Sequence, residues 1–188
     1  MTTSPQPVLR PARSTDAGKI AEILHGFEVD TPWMPKQHTG AEAISFCGTM
    51  IDRGWVIIAQ IEGRVDGFLA RDGAEVCALY IRDAARGHGI GRALLNYAKS
   101  VQSPLQLWSF QANEGAQRFY LREGFVEQTR TDGATNGEGL PDIQYIWPAP
   151  KPEPKVAPKP APKPVESKPD KAADSPVTKP TGSPKDTA

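Results

Sequence analysis

The fold and the function of this chain are decided by residues 79–92, with the sequence LYIRDAARGHGIGR. An apolar strand segment leads into three glycines, and a helical pattern follows them. Backbone N–H groups at the start of a helix are unpaired and carry the positive end of the helix dipole, and glycine lets an anion approach without a Cβ in the way. With Arg86 and Arg92 on either side, this stretch predicts a binding site for a pyrophosphate.

Two common phosphate-binding loops do not fit this stretch. The dinucleotide fingerprint needs a third glycine where this chain has Leu94, and the nucleoside triphosphate loop needs Gly-Lys followed by Ser or Thr. A purely structural turn explains one or two glycines, but not three alternating glycines flanked by arginines. We therefore expect a pyrophosphate ligand of another kind.

Outward from this stretch, hydrophobic periodicity predicts the order β-α-α-β-β-β-α-β-α-β-β, a mixed sheet with helices on its faces. The predicted strands are 8–11, 55–61, 64–71, 75–81, 105–110, 125–131 and 143–147, and the predicted helices follow Ser14-Thr15-Asp16 or span 40–53, 90–101 and 113–123. The buried stripes are predicted to be Ile20, Ile23, Leu24 and Phe27 in the first helix and Ile44, Cys47 and Ile51 in the second. Glycine-containing turns between the strands of 55–81 predict an antiparallel meander.

Composition divides the chain near residue 147. Twelve of the 19 prolines lie in 148–188, where Lys-Pro and Ala-Pro units alternate and few large apolar residues occur. Such a segment cannot bury a core, so we predict one domain over 1–147 and a disordered tail over 148–188. The tail is interpreted as a solvated spacer, with a docking segment for a partner as the alternative.

Charge and cysteine content exclude several classes of protein. Residues 1–147 hold 14 basic and 17 acidic residues, a net charge of −3, so nucleic-acid binding is not predicted. Cys47 and Cys77 have no metal-ligand spacing and are predicted to be buried free thiols. No apolar run is long enough for a membrane span or typical of a secretory signal, so we expect a cytoplasmic protein.

Two motifs resemble those of the GNAT superfamily of acyl-CoA-dependent N-acyltransferases. Arg86, Gly89 and Gly91 match its Arg/Gln-x-x-Gly-x-Gly/Ala signature, and residues 113–125 resemble its Asn-x-x-Ala-x-x-Phe-Tyr-x-x-x-Gly-Phe helix. The resemblance covers 8–147 and implies an α/β fold with a mixed, mostly antiparallel twisted sheet. It also implies that acetyl-CoA is the co-substrate, with the pyrophosphate on the glycine turn and the pantetheine arm between strands 75–81 and 105–110. The coenzyme-binding residues implied are Leu79, Tyr80, Ile81, Arg86, Gly87, His88, Gly89, Ile90, Gly91, Arg92 and Asn113.

The resemblance also implies catalytic roles. Tyr120 is expected to point at the coenzyme sulfur and to protonate the departing thiolate. A backbone N–H near Leu79 is the expected oxyanion donor. Strand alternation puts Glu75 on one face with Cys77, Leu79 and Ile81, so Glu75 is the candidate base, with water as the alternative. Cys77 lacks an evident His or Asp partner and is expected to be a core thiol rather than an acylated nucleophile.

The candidate acceptor residues lie between the first two predicted helices. Trp33 and Met34 lie in a region that, by resemblance, lines the acceptor pocket, whereas His38 is interpreted as a surface residue. The acidic, glycine-rich segment 131–142 is predicted to be either a lid that attracts a cationic amine or a hairpin tip.

The predicted function is N-acetylation of a primary amine, on a small molecule or a protein, by direct attack in a ternary complex. The alternative is a catalytically inactive acyl-CoA-binding scaffold or sensor that acts through its tail. No metal site and no membrane partner are predicted. The acceptor, the acyl chain length and the oligomeric state, including a homodimer, stay open.

Overall fold

A computed structural model describes residues 6–36 and 39–148. His38 and the tail from residue 149 onward therefore lie outside the described residues. The strands are β1 Val8–Pro11, β2 Val56–Ile61, β3 Arg64–Asp72, β4 Glu75–Ile81, β5 Leu105–Phe110, β6 Val126–Thr131 and β7 Asp142–Trp147. The helices are α1 Ala17–Asp30, α2 Gly40–Asp52, α3 Ile90–Val101 and α4 Glu114–Arg122, and short 3₁₀ turns occupy Ser14–Asp16 and Asp83–Ala85.

The seven strands form one sheet in the order β1-β2-β3-β4-β5-β7-β6. All neighbouring pairs are antiparallel except β4 and β5, which are parallel. The element order, the meander of β2 to β4 and the mixed, mostly antiparallel sheet are confirmed. Glu62 and Gly63, with φ of 50° and 82°, make the tight β2–β3 turn that the sequence predicted.

Helices cover both faces of the sheet. One core packs α1 and α2 against Ile58, Phe68 and Ala70, and the other packs α3 and α4 against Leu69, Leu105 and further residues of the opposite face. Because apolar residues point alternately to the two faces of β3, this strand contributes to both cores. The parallel β4–β5 pair thus lies in the interior of a sheet covered on both sides.

A bulge in β4 corrects the predicted strand alternation. Val76 pairs with Arg71 and Ala78 pairs with Ala70, so Cys77 is an extra residue without a partner in β3. One extra residue moves the side chains that precede it to the opposite face. Glu75 therefore does not share a face with Leu79, and the prediction that placed the two together is wrong.

Two burial predictions are also wrong. Ile44 is 48% exposed, because α2 turns Ala43, Cys47 and Met50 toward the core instead. Cys77 is exposed, since the bulge lifts it out of the regular strand, whereas Cys47 is buried as predicted. Within residues 6–36 and 39–148, no helix is both long and apolar enough to cross a membrane.

Candidate active site

The site begins where β4 and β5 separate. The two strands pair only at Glu75 with Gln106 and at Val76 with Leu107, and they diverge toward the glycine turn. The N–H of Arg82 donates to the carbonyl of Asp66 in β3, 2.8 Å away. Because hydrogen-bonding direction alternates along a strand, the amides of Leu79 and Ile81 face the opened gap. This gap presents unpaired backbone donors, as the oxyanion prediction at Leu79 requires.

A cavity of about 790 Å³ follows this gap from the bulge in β4 to the start of α3. Its size is within the usual range for small-molecule sites. It is lined by Phe27, Val76, Cys77, Ala78, Leu79, Tyr80, Ile81, Ala85, Arg86, Gly87, Gly89, Ile90, Gly91, Arg92, Trp108, Ser109, Phe110, Asn113, Gly115, Ala116, Phe119, Tyr120 and Arg122. We call this space the coenzyme cavity. It brings together every coenzyme-binding residue that the sequence predicted except His88, which is exposed and outside its wall.

The glycine turn forms one end of the coenzyme cavity. Gly87 and Gly89 have φ of 80° and 79°, which residues with a side chain rarely adopt, and no atom lies near the place of an added Cβ. Gly89 caps α3, whose first internal hydrogen bond runs from the N–H of Ala93 to the carbonyl of Gly89. The amides of residues 90–92 come before this bond, so they lack an intrahelical acceptor and are available to an anion.

Three arginines line the coenzyme cavity, and each is paired with a carboxylate. Arg86 contacts Asp83 at 2.9 Å, and Arg92 contacts Glu123 at 3.1 Å. Arg122, which sequence analysis did not single out, shares Glu123 at 3.5 Å. These guanidinium groups are half or more exposed, so they remain accessible to an anionic ligand.

Tyr120 lies at the inner wall of the coenzyme cavity. It is 8% exposed, and its ring packs against Phe119, Phe125 and Tyr145. No described residue makes a hydrogen bond to its hydroxyl. Burial raises the pKa of Tyr120 well above its usual range, and the neighbouring Tyr80 adds to the increase. The phenol therefore stays protonated at neutral pH.

Asn113 caps helix α4 at the edge of the same cavity. Its side-chain oxygen accepts a hydrogen bond from the N–H of Ala116 at 3.0 Å. The predicted helix-capping role is confirmed, and the predicted contact with a coenzyme stays a prediction. Gly91 allows α3 and α4 to approach closely, because an added Cβ would lie 3.3 Å from the ring of Phe119.

A second cavity, of about 480 Å³, adjoins the first and shares Cys77, Ala78 and Tyr80 with it. It is lined by Leu24, Glu28, Met34, Pro35, Glu42, Ala43, Ser45, Phe46, Thr49, Met50, Phe68, Cys77, Ala78, Tyr80 and Glu138. We call this space the acceptor cavity, after the acceptor pocket that the sequence predicted at Met34. Burial raises the pKa of Tyr80 to about 12, and the negative charges of Glu28 and Glu138 contribute to the shift. The electrostatic potential at the junction of the two cavities is thus lowered by carboxylates.

Of the predicted acceptor and base residues, only some line a cavity. Met34 lines the acceptor cavity. Trp33 lines neither cavity, but its ring makes edge contacts with Phe27 and Phe110, which line the coenzyme cavity. Glu75 is half-buried at the start of β4 and is not among the lining residues of either cavity.

Cys77 lies where the two cavities meet, which sequence analysis did not foresee. Burial of its sulfur raises the pKa of the thiol, with a smaller opposing effect from a hydrogen bond to the backbone of Asp72 and smaller increases from Glu75 and Asp72. A thiol with a raised pKa is a poorer nucleophile at neutral pH. This electrostatic environment disfavours an acylated cysteine intermediate.

Several lining residues escaped sequence analysis because they are apolar or distant in sequence. Phe27 reaches the coenzyme cavity from α1, and Trp108, Ser109 and Phe110 reach it from the far strand of the gap. Helical periodicity could have identified two of these residues in α4, since Phe119 and Arg122 are three residues apart and therefore lie on the same helical face. The burial of Glu28 depends on packing between segments that are distant in sequence, so no local sequence pattern predicts it.

Comparison with known proteins places this geometry in a family. Residues 52–127, which contain β2 to β5, α3 and α4, match the model described as Acetyltransferase (GNAT) domain. Residues 52–127 form a GNAT acetyltransferase domain. The GNAT resemblance seen in the sequence is therefore confirmed. Among residues 6–36 and 39–148, no group of three or more His, Cys, Asp or Glu residues is arranged to hold a metal ion.

Two relatives share sequence with this GNAT chain. It is 32% identical over 94 residues to the peptidyl-lysine N-acetyltransferase YjaB of Escherichia coli, covering 49% of this chain and 63% of the relative. It is 31% identical over 98 residues to an uncharacterized N-acetyltransferase of Methanocaldococcus jannaschii, covering 44% of this chain and 43% of the relative. The matched region thus spans about half the length of these curated relatives.

Solved structures share the fold. The solution structure of apo YjaB from Escherichia coli superimposes with a TM-score of 0.63 at 23% identity, over 75% of this chain and 97% of that chain. The structure of YncA from Salmonella typhimurium with its cofactor acetyl-CoA gives a TM-score of 0.58 at 18% identity, over 74% of this chain and 91% of that chain. At these identities the likeness establishes the fold.

Proposed function

We propose that this GNAT chain is an N-acetyltransferase that moves an acetyl group from acetyl-CoA to a primary amine. The observation that carries the proposal is the continuity of the coenzyme cavity, which runs from the glycine turn, along the opened β4–β5 gap, to Tyr120. This order matches the order of groups in acetyl-CoA, with a pyrophosphate, a linear amide-containing arm and a thioester.

Binding of acetyl-CoA is assigned to two parts of the cavity. The unpaired amides at the start of α3 and the side chains of Arg86 and Arg92 receive the pyrophosphate. The amides of Leu79 and Ile81 pair with the pantetheine arm and the thioester oxygen. When bound, acetyl-CoA supplies the electrophilic carbonyl and the thiolate leaving group. Arg122 is a further cation within reach of the pyrophosphate end of the cavity.

Transfer proceeds by direct attack. The neutral amine adds through its electron pair to the thioester carbon, the C–N bond forms, and the C–S bond breaks with its electron pair on sulfur. Tyr120 donates its proton to the departing thiolate, and the raised pKa of Tyr120 keeps that proton in place until negative charge develops on sulfur. The amine loses its proton to a base.

For this base the sequence left Glu75 and water open, and the position of Glu75 supports water. Glu75 is outside the lining of both cavities, so a proton would need an intervening path to reach it. We expect the Glu75→Gln variant to keep the acidic limb of the pH–rate profile of kcat/KM. Loss of that limb, with acetyl-CoA affinity unchanged, would assign the base to Glu75 instead of water.

An amine panel tests the proposed function. The full chain is incubated with acetyl-CoA and single primary amines or lysine-containing peptides, and release of free thiol is followed together with the mass of the product. We expect amine-dependent thiol release and a product heavier by one acetyl group. Binding of acetyl-CoA without acetylation of any amine would favour the inactive scaffold or sensor.

Two further proposals concern the domain boundary and the location of the protein. We propose a domain over 1–147 followed by the proline-rich tail as a spacer, because the described strands and helices all end by Trp147. We propose a cytoplasmic location, because both cysteines are free and Cys77 is exposed, as is usual in a reducing compartment. A homodimer stays open as an oligomeric state.

A further inference from the structure

The acceptor cavity has an acidic wall. Of the residues that line it, the ionisable carboxylates are Glu28 from α1, Glu42 from α2 and Glu138 from the β6–β7 loop. None of its described lining residues is a lysine, an arginine or a histidine. A concave, water-poor site with charges of one sign attracts ligands of the opposite sign and repels those of the same sign.

Glu28 is the buried member of this wall. It is 5% exposed, and no described residue makes a hydrogen bond to its carboxylate. Among the described residues, the Nδ1 atom of His25 on the same helix lies 4.0 Å from this carboxylate, and that side chain is half exposed to water. Burying this carboxylate without a hydrogen bond from a described residue is costly, and a bound cation inside the cavity offsets this cost.

The other two carboxylates are held in place by their own surroundings. Glu42 accepts hydrogen bonds from the N–H and the hydroxyl of Thr39, 2.7 Å and 2.9 Å away, in the cap of α2. Glu138 lies in a loop that is closed by Asn136, whose side chain donates to the carbonyl of Leu140 at 2.7 Å and to Asp142 at 2.9 Å. The acidic wall is therefore built from ordered segments.

Aromatic faces complete the cavity. Phe46 and Tyr80 line it, and Phe68 stacks on Tyr80 with the ring centroids 5.7 Å apart. Aromatic rings attract cations through their faces and cover aliphatic chains. A volume of about 480 Å³ suits a small molecule, and the shared residues Cys77, Ala78 and Tyr80 place this molecule beside the thioester end of the coenzyme cavity.

We propose that the acceptor is a small aliphatic diamine, whose neutral amine attacks the thioester while its second, protonated amine binds Glu28. This inference rests on the proposed acetyl transfer and names its substrate class. Glu28 acts as a specificity-determining residue that holds the distal ammonium by a charge-assisted hydrogen bond. An amine with a distal carboxylate is repelled by the same wall.

The test compares two acceptors of equal length, 1,4-diaminobutane and 4-aminobutan-1-ol, in which an ammonium is replaced by a neutral hydroxyl. With the wild-type chain we expect kcat/KM for the diamine, halved for its two equivalent amines, to exceed that for the alcohol roughly tenfold to hundredfold, the usual range for a hydrogen bond to a charged group. In the Glu28→Gln variant this ratio should fall to within about threefold of one.

The Glu62→Gln variant is the matched control, because it removes the same charge from an exposed turn between β2 and β3. It should keep the wild-type ratio. Calorimetry with acetyl-CoA on all three proteins checks that each variant is folded and loaded with coenzyme. Because the preference is a ratio measured within one protein, a partial loss of active enzyme does not alter it.

Failure of this inference differs from failure of the proposed function. If the wild-type chain acetylates both acceptors equally, prefers a lysine peptide, or acetylates other amines but neither of these two, the diamine assignment is wrong and acetyl transfer stands. A diamine preference that persists in Glu28→Gln also overturns it, because another group then binds the ammonium. If no amine is acetylated, the proposed function itself is wrong.

Discussion

Replacing Tyr120 by Phe is expected to lower kcat roughly 10²-fold to 10⁴-fold, the usual contribution of a general acid, with little change in acetyl-CoA affinity. The ring keeps its packing against Phe119, Phe125 and Tyr145, and only the hydroxyl is lost. Because no described residue hydrogen-bonds to that hydroxyl, its removal should not destabilise the fold. Initial rates of thiol release at saturating substrate measure the decrease in kcat.

The Tyr97→Phe variant is the control for this prediction. Tyr97 lies on α3, is 38% exposed and does not line either cavity, so the same chemical change there should leave turnover unaltered. Equal turnover in wild type and Tyr120→Phe would remove the proton-donor role and leave Tyr120 as a packing residue. A lower melting temperature of Tyr120→Phe would point to a structural effect.

Replacing Gly89 by Asp is expected to abolish binding of acetyl-CoA. The side chain would enter open space at the start of α3 and put a carboxylate beside the amides assigned to the pyrophosphate. Like charges at this distance repel, and the anion also competes for the helix N-terminus. Calorimetry on the full chain should show an affinity at least about 100-fold weaker, given the low dielectric at a partly enclosed site.

The Gly89→Asn variant distinguishes the effect of the added charge on acetyl-CoA affinity from the effect of the added side-chain volume. Asn and Asp are nearly equal in size, and both tolerate the positive φ of 79° at this position better than most residues do. The asparagine variant should therefore lose much less affinity than the aspartate variant, and the difference should shrink at high salt. Equal losses of acetyl-CoA affinity in the two variants would show that binding at this turn depends on side-chain volume alone.

The central part of the fold could be predicted from the sequence because its signals are local. The strand 75–81, the glycine turn and helix α3 follow one another without a break, and each has its own signature of apolar period, glycine or helix start. The β2–β3 turn is likewise fixed by two residues with positive φ, Glu62 and Gly63. Such features need no knowledge of distant neighbours.

The errors arise where a distant partner decides the outcome. In α2 the predicted stripe of residues 44, 47 and 51 is helical, but the buried set is 43, 47, 50 and 51, so Ala43 and Met50 lie in the core where Ile44 was predicted. The bulge at Cys77 depends on the register between β3 and β4, which a single strand does not encode. That bulge changed the face of Glu75 and brought Cys77 to the junction of the cavities.

The residues of the coenzyme cavity could largely be predicted from the sequence, whereas most residues of the acceptor cavity could not. Motif residues lie close together in sequence around the glycine turn and α4, so their position followed from the two motifs. The acceptor cavity is lined by residues of α1, the α1–α2 loop, α2, β3, β4 and the β6–β7 loop, which are far apart in sequence. Glu28 looks like a solvent-facing helix residue until those segments pack around it.

A crystal structure of the chain with acetyl-CoA would show whether the opened gap between β4 and β5 holds acetyl-CoA for transfer to an amine. We expect the pyrophosphate oxygens within hydrogen-bond distance of the amides at the start of α3. We also expect the thioester sulfur beside the hydroxyl of Tyr120 and the acetyl group facing the acceptor cavity. A coenzyme bound outside this gap, or a sulfur remote from Tyr120, would contradict this expectation.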